Sequence, residues 1–275
     1  MSANVLVLSG YGLNCEEETL QAFEFAGLKG AIRHINDLIE NPGELNNVEV
    51  LVVPGGFSYG DDTGSGNAFA QKMKLALWEK LRRFVERDTL TLGICNGCQI
   101  VANLGLIPAL DKKYGERLVA VTYNMSARYQ CRWIDLQVNP ANTSPWLLGG
   151  GRMHIPVAHG EGRFMMDESL LKKLQNANQV ALSYIKPDGR AAQGEFPFNP
   201  NGSMADIAGM TDESGRVLAL MPHPERGMFI WQRDDYHELK DRAEREGDSL
   251  PEEADGIRIF RNAAVYFGGK LKKSA

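Results

Sequence analysis

Cysteine is scarce, with four residues in 275. That is too few for a disulfide scaffold, and free thiols point to a reducing, cytoplasmic setting. Long apolar runs are missing as well. No stretch of the chain approaches the roughly 18 uninterrupted apolar residues of a membrane span. Basic excess is also absent: 30 Lys and Arg stand against 35 Asp and Glu, for a net charge of −5. A general nucleic-acid binder needs the opposite balance. Met1-Ser2-Ala3-Asn4 leads straight into a strand-like stretch, with no basic head and apolar core of a secretory signal. No G-x-x-x-x-G-K-[ST] loop is present to cradle nucleotide phosphates. What remains is an ordinary globular composition, 43% apolar and 24% charged. With no composition break and no internal repeat, residues 1–275 read as a single domain.

Apolar periodicity places the elements. Val5–Leu8, Ala31–Ile35, Val48–Val53 and Leu90–Ile94 read as short strands. Between them, Glu16–Ala26 and Asn67–Glu86 carry apolar residues at helical spacing, and Asn96–Leu104 forms a helix after the fourth strand. Strand and helix alternating over about a hundred residues imply right-handed crossovers and a parallel sheet. The second half changes character. Leu118–Tyr123, Cys131–Val138, Gln179–Tyr184 and Val217–Met221 read as strands separated by turns, and Ile257–Phe267 as a last amphipathic helix. The expected fold class is α/β: a mostly parallel sheet flanked by helices, with added antiparallel strands in the second half. Gln232–Asp255 is strongly charged and broken by Gly247 and Pro251; it reads as a solvated surface insertion.

The most informative stretch is Gly93-Ile94-Cys95-Asn96-Gly97. It follows an apolar strand and opens a helix, the setting of a nucleophile elbow with cysteine in place of serine. Such a turn pushes one side chain out at the carboxyl end of the sheet, and flanking glycines remove Cβ atoms that would clash. Positive potential at a helix N-terminus favours a thiolate. Cys95 and Cys98 also spell C-x-x-C, which raises a redox pair or a zinc site. A zinc site needs two further ligands at matching spacing, and Cys15 and Cys131 stand alone, so no metal site is assigned. Cys98 reads as packed inward.

A thiol nucleophile needs a base, and the base needs an orienter. Of the five histidines, His223 lies in Met221-Pro222-His223-Pro224-Glu225, directly after an apolar strand. Glu225, two residues on, can share a side of an extended segment with it. Cys95, His223 and Glu225 thus form a candidate triad at carboxyl strand ends, where α/β sites form. Pro54-Gly55-Gly56 ends the strand at Val53, and glycine there lets backbone N–H face a ligand. With the N–H of Asn96 it offers an oxyanion hole.

These residues together resemble the class I, triad-type glutamine amidotransferases, which combine a P-G-G turn, a G-x-C-x-G-x-Q elbow and a later H-x-E. The resemblance covers nearly the whole chain. Gly55–Asp61, Gly93–Gln99, Ala158–Arg163, Met221–Arg226, Ser126–Trp133 and Asn199–Ser203 are most similar to the glutaminase components of phosphoribosylformylglycinamidine synthases. The resemblance implies a flavodoxin-like sheet, a Cys95–His223–Glu225 triad, and substrate contacts from Gly55, Gly56, Asn96 and Gln99. Arg128, His159, Glu161 and Arg163 become candidates for substrate or partner contact. It also implies glutamine as substrate and ammonia delivered to a synthase subunit, with or without a small accessory subunit. ATP and magnesium are expected on that partner, with no cofactor in this chain. The alternatives are a thiol hydrolase of another α/β family, a glutaminase serving a different synthase, or a non-catalytic scaffold. The acid following the histidine, and the presence of all three triad members, favour the amidotransferase.

Overall fold

A computed structural model describes residues 3–268; the two residues before and the seven after, which the span 1–275 includes, lie outside it. Eleven strands and seven helices follow in chain order: β1 (Asn4–Ser9), α1 (Glu16–Phe25), β2 (Lys29–His34), α2 (Ile35–Glu40), β3 (Val50–Val53), α3 (Asn67–Glu86), β4 (Leu90–Ile94), α4 (Asn96–Asn103), β5 (Ala120–Tyr123), β6 (Gln130–Val138), β7 (Arg152–His159), β8 (Glu161–Met165), α5 (Glu168–Asn176), β9 (Val180–Ile185), β10 (Ile207–Thr211), β11 (Val217–Leu220), α6 (Tyr236–Glu246) and α7 (Ile257–Tyr266).

Nine strands make one sheet in the order β2-β1-β3-β4-β11-β10-β9-β6-β7, and β5 pairs with β8 apart from it. From β2 to β11 all pairings are parallel. From β11 to β7 all are antiparallel. The α/β expectation therefore holds, with one refinement: the antiparallel strands extend the same sheet and equal the parallel part in number of pairings. Strand order reverses at β1, with β2 on one side and β3 on the other, and such switch points open a crevice at the carboxyl ends of strands.

The parallel strands β1, β3, β4 and β11 are buried on both faces because helices cover both, while the edge strand β2 is only partly buried. Val50 to Val53 and Leu90 to Ile94 are fully buried. In α3, Phe69, Met73, Leu77, Leu81 and Phe84 form the buried stripe, while Leu75 on the far side is 88% exposed. Each such side chain removed from water contributes about 1.5–3 kcal/mol. α1 packs beside α7 and α3 beside α4. Phe23 meets Phe260 edge-on at 4.9 Å, locking the first helix to the last.

Residues 232–255 leave the body and return to it at one place. Ile230 N–H donates to Glu252 O at 3.0 Å, and Ala254 N–H donates to Met228 O at 2.7 Å. Between these, α6 is mostly exposed and carries ion pairs one turn apart, Glu238 with Arg242 and Asp241 with Arg245. Among the described residues, no helix is long and apolar enough to cross a membrane.

Candidate active site

The turn between β4 and α4 is strained at one residue. Cys95 has φ 51° and ψ −107°, a region that side-chain-bearing residues rarely occupy and that costs about 1–3 kcal/mol. The glycines around it are sterically required. A Cβ on Gly97 would lie 1.8 Å from Val53 O, and one on Gly93 would lie 2.7 Å from Gly97 O. Without side chains there, α4 starts directly against the end of β3. Cys95 N–H donates to Leu220 O at 2.8 Å, which ties the elbow to the end of β11. The thiol, 4% exposed, points at Ala158 O at 3.6 Å.

β11 delivers the second group. After Leu220 the chain turns, and His223 N–H donates to Pro156 O of β7 at 2.8 Å. His223 Nδ1 donates to Glu225 Oε1 at 2.6 Å, with both side chains shielded from water. That leaves Nε2 without a hydrogen-bond partner among the described residues, and Glu225 Oε2 as well. Burial by itself would lower the His223 pKa. The Glu225 charge, and then the nearby Cys95 thiol, outweigh it and hold the imidazole well above its ordinary value. The arrangement is a buried imidazole, oriented by a carboxylate at one nitrogen and free at the other, with a thiol beside it.

The third element is backbone. A Cβ on Gly55 would lie 2.7 Å from His223 Cε1, so the Pro54-Gly55-Gly56 turn runs against the imidazole. Gly56 has φ +151°, and a Cβ there would lie 2.5 Å from Gly12 O. Among the described residues the amides of Gly55 and Gly56 make no hydrogen bond. The Asn96 amide, first in α4, has no acceptor within its helix. Three free N–H groups thus belong to the two turns that flank the thiol, the supply an oxyanion requires.

A family model described as "CobB/CobQ-like glutamine amidotransferase domain" matches residues 2–267. The chain belongs to that glutamine amidotransferase family. The phosphoribosylformylglycinamidine synthase subunit PurQ of Methanococcus maripaludis is 47% identical over 264 residues, 96% of this chain and 97% of that protein. The subunit of the same name from Dehalococcoides mccartyi is 42% identical over 261 residues, 95% of this chain and 96% of that one. Among solved structures, a chain in "Structure of PurLQS from Thermotoga maritima" superposes with a TM-score of 0.69 at 28% identity, over 97% of this chain and 100% of its own.

For an amidotransferase of this family, the surrounding side chains sort into those at the site and those below it. Asn96 is 1% exposed and its side chain is already engaged: Oδ1 accepts from Ser58 N–H at 3.1 Å, and Nδ2 donates to Gln99 Oε1 at 2.8 Å. Gln99 Nε2 in turn donates to Glu161 O at 2.5 Å. Gln99 therefore has both ends of its amide committed, and it shapes the pocket by fixing the turn at Glu161. Glu161 is 8% exposed and accepts from Ser65 N–H at 3.3 Å. His159 is 2% exposed; Nδ1 donates to Asn124 Oδ1 at 3.1 Å, and a Cβ on Gly162 would touch its ring. Burial, reinforced by repulsion from His223, pushes the His159 pKa down to about 3, so the ring stays neutral. Buried in this way, His159 and Glu161 present little side-chain surface to a partner. Arg163 is half-buried and donates to Gly202 O at 3.1 Å, while Arg128 is exposed.

Two groups here escaped the sequence reading. Asp61 follows the Gly55-Gly56 turn, accepts from Asn96 Nδ2 at 3.3 Å, and is pushed up to about 6 by burial and by Glu161. It lies inside a segment whose resemblance was noted, but nothing in the spacing marked it as buried. Cys15, the isolated thiol before α1, is 1% exposed and packs against His223. Cys98 is fully buried behind the elbow, and all four cysteines are free.

Proposed function

We propose that this chain is the glutaminase subunit of a phosphoribosylformylglycinamidine synthase, and that Cys95, His223 and Glu225 carry its chemistry. The Cys95 sulfur attacks the side-chain amide carbon of glutamine, and the carbonyl π electrons move onto oxygen. The resulting oxyanion is held by N–H groups of Gly55 or Gly56 and of Asn96. His223, already carrying the proton given up by the thiol, passes it to the amide nitrogen; the oxyanion re-forms the carbonyl as the C–N bond breaks, and ammonia leaves. Water then attacks the γ-glutamyl thioester, with His223 accepting its proton; as the C–S bond breaks, glutamate is released and the Cys95 sulfur leaves as the thiolate, paired again with the protonated imidazole. Glu225 keeps Nδ1 protonated, so that Nε2 is the nitrogen facing the reaction. Ammonia passes to a synthase partner, which converts formylglycinamide ribonucleotide to the amidine with ATP and Mg2+ bound on the partner.

The observation that carries this reading is the strained Cys95, at φ 51° beside a buried imidazole whose other nitrogen is held at 2.6 Å by Glu225. The PurQ names of the relatives supply the choice of synthase. In the reconstituted complex, Cys95→Ala is expected to abolish glutamine-dependent synthesis and leave synthesis from free ammonia intact. Loss of both activities would overturn the division of labour.

A further inference from the structure

The mechanism has no use for Cys15, yet its sulfur lies against the triad. Cys15 closes the turn between β1 and α1, is 1% exposed, and accepts from Arg226 Nη2 at 2.9 Å. The space that a Cβ on Gly55 would fill lies 3.0 Å from Cys15 Sγ and 2.7 Å from His223 Cε1, so thiol and imidazole share one wall of the pocket. Donor atoms of Cys15, His223 and Glu225 all lie within 4.8 Å of one another. His223 and Glu225 are each 1% exposed, and each has one polar atom, Nε2 and Oε2, with no partner. Buried polar atoms without partners are costly; Nε2 is the nitrogen assigned to the reaction, while a cation seated at Nδ1, in place of the proton shared with Glu225 Oε1, would relieve the carboxylate.

The donor chemistry selects the cation. One sulfur, one imidazole nitrogen and one carboxylate oxygen form a mixed set that Zn2+ accepts, with three protein ligands and an open fourth position. Mg2+ and Ca2+ require oxygen donors throughout. We propose that Cys15, His223 and Glu225 form a Zn2+ site that switches the glutaminase centre off by occupying its base and its orienter. The switching half of this proposal rests on the assignment of those two roles above; the metal site does not. On binding, a Zn–S bond replaces the S–H bond of Cys15, and a Zn–N bond displaces the proton carried by the imidazole. Both protons go to water and no oxidation state changes. Arg226, whose side chain is 40% exposed, gives up its contact with the sulfur and turns outward. Because the thiol must lose its proton, binding tightens as pH rises.

The test uses ZnCl2 with the full chain in its synthase complex, with activity normalised to each variant's own metal-free rate. Glutamine hydrolysis is expected to fall with Zn2+ and recover with a chelator. Cys15→Ala should raise the inhibitory Zn2+ concentration by about 100-fold, at least the loss seen when a metal site loses a supporting partner. Metal retained after desalting is measured separately and does not depend on turnover. Cys95→Ala protein should keep one Zn2+, and Cys15→Ala should keep none. Inhibition of Cys15→Ala at the parental concentration would overturn the proposal, as would Zn2+ held through Cys95 alone, or no Zn2+ held at all. If Cys15→Ala fails to fold, Co2+ is added to Cys95→Ala, Cys131→Ala protein, where a thiolate-to-cobalt charge-transfer band supports Cys15 as ligand and its absence overturns it. Cys15-dependent retention without inhibition would leave the site standing and remove the catalytic roles of His223 and Glu225.

Discussion

His223 and His154 are both paired with carboxylates, in opposite settings. In the parallel half, His223 meets Glu225 at 2.6 Å with side chains 2% and 0% exposed, and its second nitrogen is left without a partner. In the antiparallel half, His154 meets Asp135 at 2.9 Å and Asp234 at 2.9 Å, with side chains 17%, 27% and 53% exposed. Both imidazoles are raised above their ordinary pKa: burial pulls each down, and the carboxylates more than offset it. The difference lies in what the second nitrogen does. At His154 it is consumed by Asp234, at the entrance to residues 232–255, so the pair is a tether. At His223 it faces a thiol, so the pair is a reagent. Burial with one unsatisfied nitrogen separates chemistry from fastening.

Removing one carboxylate from each pair separates the two roles. Glu225→Gln keeps the shape and removes the charge. Glutamine turnover in the complex is expected to fall on the order of ten-thousandfold, the scale seen when a triad histidine loses its anionic orienter. Synthesis from ammonia should persist. A variant with turnover within about threefold of the parent would mean that Glu225 holds the fold and not the working tautomer.

His154→Ala tests the tether, and its effect should be far smaller. A partly exposed pair is worth about 1 kcal/mol or less, so kcat for glutamine should be unchanged while proteolysis within residues 236–252 becomes faster. The sign with pH follows from the raised pKa of His154. Stability from such a group is fully present below its unfolded value and is lost as pH rises through its folded value. Parent and variant should therefore differ most near pH 6 and converge in alkali. Equal protease sensitivity at every pH would show that the segment is held by other contacts, such as the backbone N–H of residue 154 donating to Asp255 Oδ2 at 2.9 Å.

The same contrast governs how much the sequence reveals. Most of the parallel half was legible because its inner strands are buried on both faces and read as unbroken apolar runs, so Leu90–Ile94 matches its expected limits, as does the helix Asn67–Glu86 with its apolar stripe. The turn with Cys95 was legible because steric demand forces glycine at 93 and 97. α2, β7, β8, α5 and β10 were missed. β7 and β8 are interrupted by Pro156 and Gly162, β10 carries Gly209, and α5 has a single fully buried residue, Leu174. α6 was read only as charge, since its ion pairs run along a solvated surface. At the site, local pattern found residues that are special by themselves. Asp61 and Cys15 were invisible because their environment is assembled from distant segments.

Asp61 sharpens the comparison from the other side, as a half-buried carboxylate with no histidine or other cation paired to it among the described residues. Its pKa is pushed up to about 6 by burial first and by the Glu161 charge next. A carboxyl whose folded pKa lies above its unfolded one favours the folded state below the unfolded value and loses that benefit as pH climbs through the folded one. The parent should therefore lose stability between about pH 4 and pH 6, while Asp61→Asn, which mimics the protonated form, should not. Asparagine is the apt replacement because residue 61 has φ 59°, a conformation that asparagine tolerates better than most residues. Above pH 6 the variant should be more stable by about 1 kcal/mol, allowing for screening of a half-exposed group, or roughly 2–4 °C in Tm. Below pH 4 the two proteins should melt together. An Asp61→Asn protein that is less stable at pH 8 would mean that the carboxylate has a cationic partner, as His223 provides for Glu225, and that burial alone does not set its cost.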